Sequence, residues 1–154
     1  MTAPAARGAN VGGVPPARIL VADDDAAKRL AIARILRQAD HEVLQAAGGV
    51  EALDLVKTAA PDLVLLDVEM PDLSGTEVCL RLRADPATSA LPVLYLSAHR
   101  VTSQHRIEGL DSGADGYLVW PVDPRELLAW VRTLLRVHRT ERALRAANAD
   151  WHHT

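Results

Sequence analysis

Four short apolar runs in this chain each end on residues that can do chemistry. Residues 19–22 (ILVA) run into Asp23-Asp24-Asp25, residues 63–66 (LVLL) into Asp67, residues 92–96 into Ser97-Ala98, and residues 116–119 into Trp120-Pro121. If these runs are strands of one sheet, Asp23, Asp24 and Asp67 converge, and three carboxylates in one place repel one another unless a cation sits among them. Hard oxygen donors with few other groups suit an octahedral ion such as Mg²⁺. A carboxylate beside that ion is a competent nucleophile toward a phosphoryl group. Ser97, one strand further along, offers a hydroxyl to the oxygens of the group transferred. Asp25 reads as an ordinary helix N-cap, but one acid suffices for capping, so the pair before it needs another reason.

The elements that would position these residues are legible as an alternation. The run at 19–22 is followed by helical spacing over 26–39, a short strand at 41–46, a helix at 50–60 after Gly48-Gly49, and Pro61 as its stop. The all-apolar run 63–66 is the pattern of a central parallel strand buried on both faces. Beyond it come a helix at 76–84, a strand at 92–96, a helix at 103–112, a strand at 116–119 and a helix at 124–139. Five strands alternating with five helices predict an α/β domain with a parallel sheet and right-handed crossovers. In such sheets the crevice at the carboxyl ends of the strands, where strand order reverses, is the functional edge. That is where all four chemical ends fall.

Length and composition narrow the field. The chain has 154 residues, 49% hydrophobic and 24% charged, which suits one compact domain rather than two or a disordered chain. Residues 1–17, rich in Ala, Gly and Pro, read as a flexible leader, 18–138 as the domain, and 139–154 as a helical or frayed tail. No apolar run reaches the roughly 18 residues of a membrane span, and no basic-then-apolar signal opens the chain, so the expected location is cytoplasmic, with no membrane contact. Cys79 is the sole cysteine, which excludes an internal disulfide and a thiolate zinc site. The net charge of −3 divides into −5 over residues 1–121 and +2 over 122–154. Arg132, Arg136, Arg139, Arg142 and Arg145 are interspersed with acids and lack interleaved aromatics, so they read as a solvated helix face, with no direct nucleic-acid partner expected.

The runs ILVADDD (19–25), DLVLLDVEMPDLSG (62–75), LPVLYLSAH (91–99) and SGADGYLVWPV (112–122), in that order and spacing, resemble the receiver domain of two-component response regulators over about residues 18–138. The resemblance implies a flavodoxin-like, doubly wound five-stranded parallel sheet of order 2-1-3-4-5 with an extended C-terminal helix. It implies that Asp67 accepts a phosphoryl group from a histidine kinase or phosphotransfer protein. It further implies that Asp23, Asp24 and Asp67 hold Mg²⁺ together with the backbone carbonyl of Glu69. Ser97 matches the family's hydroxyl residue that moves toward the phosphoryl group, and Tyr117 the aromatic that turns inward with it. Met70-Pro71 and Gly75 match the loop after the acceptor. Trp120-Pro121 looks like the family's cis peptide, and Glu69 and His99 either match positions that in the family tune the lifetime of the phosphoryl group or are ordinary exposed residues. The protein contributes to its own modification and is not expected to be an enzyme on an external substrate.

One residue departs from the pattern. The family places Lys before that proline, where its ammonium contacts the phosphoryl oxygens, and here the residue is Trp120, whose indole has one N–H donor and no charge. Three outcomes follow: phosphorylation with atypical switching, a stand-in cation among Lys28, Arg29 and Arg100, or a docking module indifferent to phosphorylation. A haloacid-dehalogenase-like phosphatase shares the nucleophilic Asp and Mg²⁺ but also wants a strand-end Lys. Trp130, Val137, Leu144 and Trp151 recur every seven residues, as do Leu127, Leu134, Glu141 and Asn148, so a homodimer through the last helix is conceivable.

Overall fold

A computed structural model describes residues 14–98 and 103–152. Ten elements alternate along it: β1 (Arg18–Ala22), α1 (Ala26–Gln38), β2 (Glu42–Ala46), α2 (Gly49–Ala59), β3 (Leu63–Leu66), α3 (Gly75–Ala84), β4 (Val93–Ser97), α4 (Ser103–Asp111), β5 (Gly116–Val119) and α5 (Pro124–His152). All strand pairs are parallel and the order is β2-β1-β3-β4-β5, the flavodoxin-like arrangement. Strand order reverses at β1, so the switch point lies between the carboxyl ends of β1 and β3.

Side chains alternate across the sheet with period two and build a core on each face. Ile19, Val21, Leu63, Leu65, Leu94, Leu96 and Leu118 pack against Ile32 and Leu36 of α1 and Leu127, Val131, Leu134 and Leu135 of α5. Leu20, Ala22, Ala46, Val64, Leu66, Val93 and Tyr95 pack against Ala52 and Val56 of α2 and Val78, Cys79 and Leu82 of α3. Every residue of β3 and β4 is buried, as their unbroken apolar runs require. Truncating a fully buried leucine such as Leu65 to Ala would cost about 2–5 kcal/mol.

Local chemistry sets the helix ends. Asp25 caps α1, its carboxylate accepting from Ala27 N and Lys28 N, and Ser74 caps α3 through Glu77 N. Ala60 takes a left-handed conformation (φ 47°) to end α2 before Pro61. Pro124 opens α5, where its missing N–H costs no helical bond. The helix continues beyond 139, as an extended C-terminal helix requires, because RTERALRAA supplies strong helix formers, no Gly or Pro, and a Glu141–Arg145 pair at i,i+4. Of the seven-spaced residues on α5, Leu127 and Leu134 belong to the core, while Val137 and Leu144 are exposed. Among the described residues no helix is long and apolar enough to cross a membrane.

The expected leader needs correcting at its end. Val14 and Ala17 are buried in the core on the α1–α5 face rather than flexible. Ala17 N donates to His41 Nδ1 (3.0 Å) and Ala17 O accepts from Glu42 N (2.9 Å), so this stretch is tied down by His41 and the start of β2. Residues 1–13 lie outside the described residues.

Candidate functional site

The register of β1 against β3 makes the site. Ala22 pairs with Leu66, so the next residues, Asp23 and Asp67, emerge side by side. Main-chain bonds fix both: Asp67 N donates to Ala22 O (2.9 Å) and Asp23 N to Ala46 O (3.0 Å). Carboxylate oxygens of Asp23, Asp24 and Asp67 lie within 4.8 Å of one another, with Asp23 and Asp67 buried and Asp24 exposed. The convergence expected from the strand ends is therefore present. The crevice around them is lined by Asp25, Lys28, Glu69, Met70, Pro71, Ser74 and Ala98.

The charge at this site is balanced by a residue that sequence reasoning held only as one candidate of three. Lys28, in the first turn of α1, is 4% exposed, and its Nζ lies 2.8 Å from Asp23 Oδ2 and 3.6 Å from Asp67 Oδ1. The same Nζ donates to the carbonyl of Leu96 on β4. Arg29 is used differently: its guanidinium holds Asp23 O (2.7 Å) and Gln45 Oε1 (3.2 Å), bracing the end of β1. Arg100 and His99 lie outside the described residues. Burial pushes the Asp67 carboxyl up to about 6, a rise that the Lys28 ammonium opposes and that the negative charges of Asp23 and Asp24 reinforce. Asp67 Oδ1 is buried and accepts no hydrogen bond from the described residues.

Hard oxygen donors around one open crevice fit a divalent cation such as Mg²⁺. Asp23 has commitments besides, since Oδ1 accepts from Asp25 N (2.9 Å) and Oδ2 meets Lys28. Asp24 and Asp67 thus keep the freer oxygens for direct ligation.

Ser97 ends β4 fully buried, and its carbonyl accepts from Trp120 N (2.7 Å), which ties the ends of β4 and β5 together. Tyr117 pairs with Tyr95 across those strands, and their rings meet edge to face with centroids 5.9 Å apart. Tyr95 OH is 2.6 Å from Ser112 Oγ, which donates onward to Gly109 O. The Trp120-Pro121 peptide is cis. Trp120 packs half-buried against the α1–α5 core rather than presenting a charge to the carboxylates.

The loop after Asp67 carries a residue that sequence reasoning missed. Asp72 accepts from Gly49 N and Val50 N (both 3.0 Å), capping α2 from across the crevice rim. Those amides hold its carboxyl below the ordinary range. The signal was the Gly48-Gly49 opening of α2, which has no side chain to cap itself. A Cβ on Gly48 would meet the Asp72 carboxylate at 2.8 Å.

A flavodoxin-like sheet with acids gathered at the β1–β3 switch point defines the class: a doubly wound α/β domain with an acidic crevice at its strand ends. Within that class the chain belongs to the response regulator receiver family, whose domain model matches residues 19–132. It is 50% identical over 121 residues to the response regulator MprA of Mycobacterium sp. (strain KMS), covering 79% of this chain and 51% of that protein. It is 45% identical over 130 residues to the DNA-binding dual master transcriptional regulator RpaA of Synechocystis sp. PCC 6803, covering 84% and 53%. Among solved structures, the CheY-like receiver domain protein of Methanospirillum hungatei JF-1 matches with a TM-score of 0.74 at 28% identity, covering 82% of this chain and 98% of that one. The chain spans about half the length of the curated relatives it matches. It is a receiver domain of two-component signalling.

Proposed function

We propose that Asp67 accepts a phosphoryl group from a histidine kinase or phosphotransfer protein. The carrying observation is the placement of its carboxylate, buried at the end of β3 and within 4.8 Å of the carboxylate oxygens of Asp23 and Asp24. An Asp67 oxygen attacks phosphorus in line with the donor's P–N bond. The P–O bond forms as the P–N bond breaks, and the released imidazole takes a proton from water. Asp23, Asp24, Asp67 and the Glu69 carbonyl would hold Mg²⁺, which neutralises phosphoryl oxygens and orients the group. Ser97, at the strand end linked to Trp120, donates its hydroxyl to the transferred group, and Tyr117 follows it. With Trp120 in place of Lys, the readout through β4 and β5 differs from the usual one, because an indole makes no ion pair to a dianion.

Intact mass after incubation with acetyl phosphate and Mg²⁺ tests this. A gain of one phosphoryl group in the parent, absent from Asp67→Asn, is the expected result, and no gain in the parent overturns it. A phosphorylation-independent docking module is the second reading, favoured by Val137 and Leu144 exposed on α5. It requires an assembly through α5 that light scattering finds unchanged by phosphodonor and Mg²⁺.

A further inference from the structure

We infer that Lys28 is the phosphoryl-contacting cation of this site, supplying from the first turn of α1 the charge that Trp120 cannot supply from the end of β5. This rests on the reading of Asp67 as phosphoacceptor and names the residue that completes it.

Lys28 sits where helix dipole and burial both disfavour a lysine. It is the third helical residue after the Asp25 cap, at the end of α1 where backbone N–H dipoles favour anions. It is also buried, a rare state for lysine, and an ammonium taken out of water needs specific compensation. Residues that break local rules in this way mark functional positions when a specific compensation is present. Here the compensation is the site itself: Asp23 Oδ2 at 2.8 Å and the Leu96 carbonyl take two of the three ammonium donors. Asp67 Oδ1 lies 3.6 Å away, too long for a hydrogen bond but within ion-pair range, and that oxygen accepts no other hydrogen bond from the described residues. A phosphoryl group on Asp67 adds oxygens and negative charge beside an ammonium with one donor uncommitted.

Trp120 lies on the face of the sheet covered by α1, the helix that carries Lys28. Leu118 and Trp120 alternate onto the α1–α5 face of the sheet, the face on which α1 packs. The indole fills apolar space there, and a lysine at 120 would instead bring a second ammonium toward the first. Leu96 O, which holds Lys28, precedes Ser97, whose own carbonyl holds Trp120 N. The cation is thus anchored to the strand whose end carries the hydroxyl.

In the transfer from acetyl phosphate, the Asp67 O–P bond forms as the acetate O–P bond breaks. Lys28 donates a hydrogen bond to a phosphoryl oxygen and transfers no proton. The test compares the parent with Lys28→Met, Lys28→Gln, Trp120→Lys and Lys28→Met/Trp120→Lys. Two readouts are taken: the rate of mass gain with acetyl phosphate and Mg²⁺, and the affinity for beryllium fluoride, a non-covalent phosphoryl mimic, by calorimetry. Circular dichroism and cooperative unfolding establish that each variant is folded. Both Lys28 variants are expected to lose about 10- to 100-fold in rate and affinity, the scale of one charge-assisted hydrogen bond. Returning a lysine at 120 in the Lys28→Met background is expected to recover most of that loss. A folded Lys28→Met or Lys28→Gln with the parent's rate and affinity overturns the inference while leaving Asp67 as acceptor. Failure of Trp120→Lys to recover any loss also overturns it, since Lys28 would then act as a scaffold. A parent that neither gains mass nor binds beryllium fluoride overturns the phosphoacceptor reading itself, and this inference with it.

Discussion

Gly75 begins α3 directly against the main chain of Asp67. A Cβ at Gly75 would stand 2.1 Å from the Asp67 carbonyl oxygen and 2.9 Å from Val68 Cα, and Gly75 N already donates to Val68 O at 2.7 Å. The loop DVEMPDLSG therefore closes on itself, and the backbone of Asp67 defines how near α3 can start. Gly75→Ala must push α3 or Asp67 away. It is expected to cost about 2–4 kcal/mol, in the range of overpacking and backbone clash. At an unconstrained helical position the same change would be stabilising by up to about 1 kcal/mol. Urea unfolding distinguishes the two by sign. The mass gain on Asp67 with acetyl phosphate is expected to slow in the same variant.

Asp67 itself destabilises the metal-free fold. Its carboxyl titrates near 6 rather than 3.8, so the folded state binds the proton more tightly than the unfolded state does. The sign follows from linkage: stability falls as pH rises from about 4 through 6 and stays low above that. Asp67→Asn removes the charge and is expected to stabilise the protein at pH 7 by about 1–2 kcal/mol. This is less than the full shift implies, because the crevice is open to water on one side. Unfolding without divalent cation at pH 7 and pH 5 measures it, and the gap between parent and variant should narrow at pH 5. Millimolar Mg²⁺ should raise the parent's midpoint and leave that of Asp67→Asn nearly unchanged.

Much of this was legible because hydrophobic period and strand ends are local signals. The all-apolar LVLL announced a strand buried on both faces, and its end announced Asp67. The order of the strands and the cis Trp120-Pro121 bond came from resemblance, since neither is written in a period. Asp25 was legible as a cap because capping is decided within three residues. Lys28 was not separable from Arg29 in the sequence. Adjacent helical residues differ by about 100° in direction, and only packing of α1 on the sheet decides which one enters the crevice. Asp72 was missed because it caps a helix 22 residues earlier in the chain. Composition does not reveal that Val14 and Ala17 join the core cluster on the α1–α5 face.

His41 supplies a pH dependence of the opposite sign. Its Nδ1 accepts from Ala17 N, which requires the neutral ring, and burial lowers its pKa with help from Arg139, against Asp40 and Asp62. A base whose folded pKa is depressed contributes stability that is present above its ordinary value of 6.5 and lost as pH falls below it. In an Asp67→Asn background, which removes the counteracting carboxyl, stability should fall from pH 7 to pH 5. Adding His41→Gln should flatten that slope, at a cost of about 1 kcal/mol at pH 7 for the altered acceptor. A slope that persists in the double variant would assign it to another group.

Arg83 is the clearest place to separate stability from phosphotransfer. Its Nε donates to Gly113 O (2.8 Å), Nη1 to Leu91 O (2.6 Å), and Nη2 meets Asp115 Oδ2 at 3.0 Å. That same carboxylate oxygen accepts from Val93 N (2.8 Å). One planar guanidinium thus joins the end of α3 to the segments entering β4 and β5, at the end of the sheet opposite the acidic crevice. A lysine keeps the charge but offers no fork, so Arg83→Lys leaves carbonyls without donors and is expected to cost about 1–3 kcal/mol. Arg81, two residues earlier, pairs with Glu77 at 3.6 Å in the open, and Arg81→Lys should change stability by less than about 0.5 kcal/mol. Because among the described residues no Arg83 contact reaches Asp23, Asp67 or Lys28, a folded Arg83→Lys should accept a phosphoryl group from acetyl phosphate at the parent's rate. A slowed mass gain at temperatures where the variant is fully folded would show instead that the entry to β4 and β5 is mechanically coupled to Ser97 and Tyr117 at the far end of the same strands.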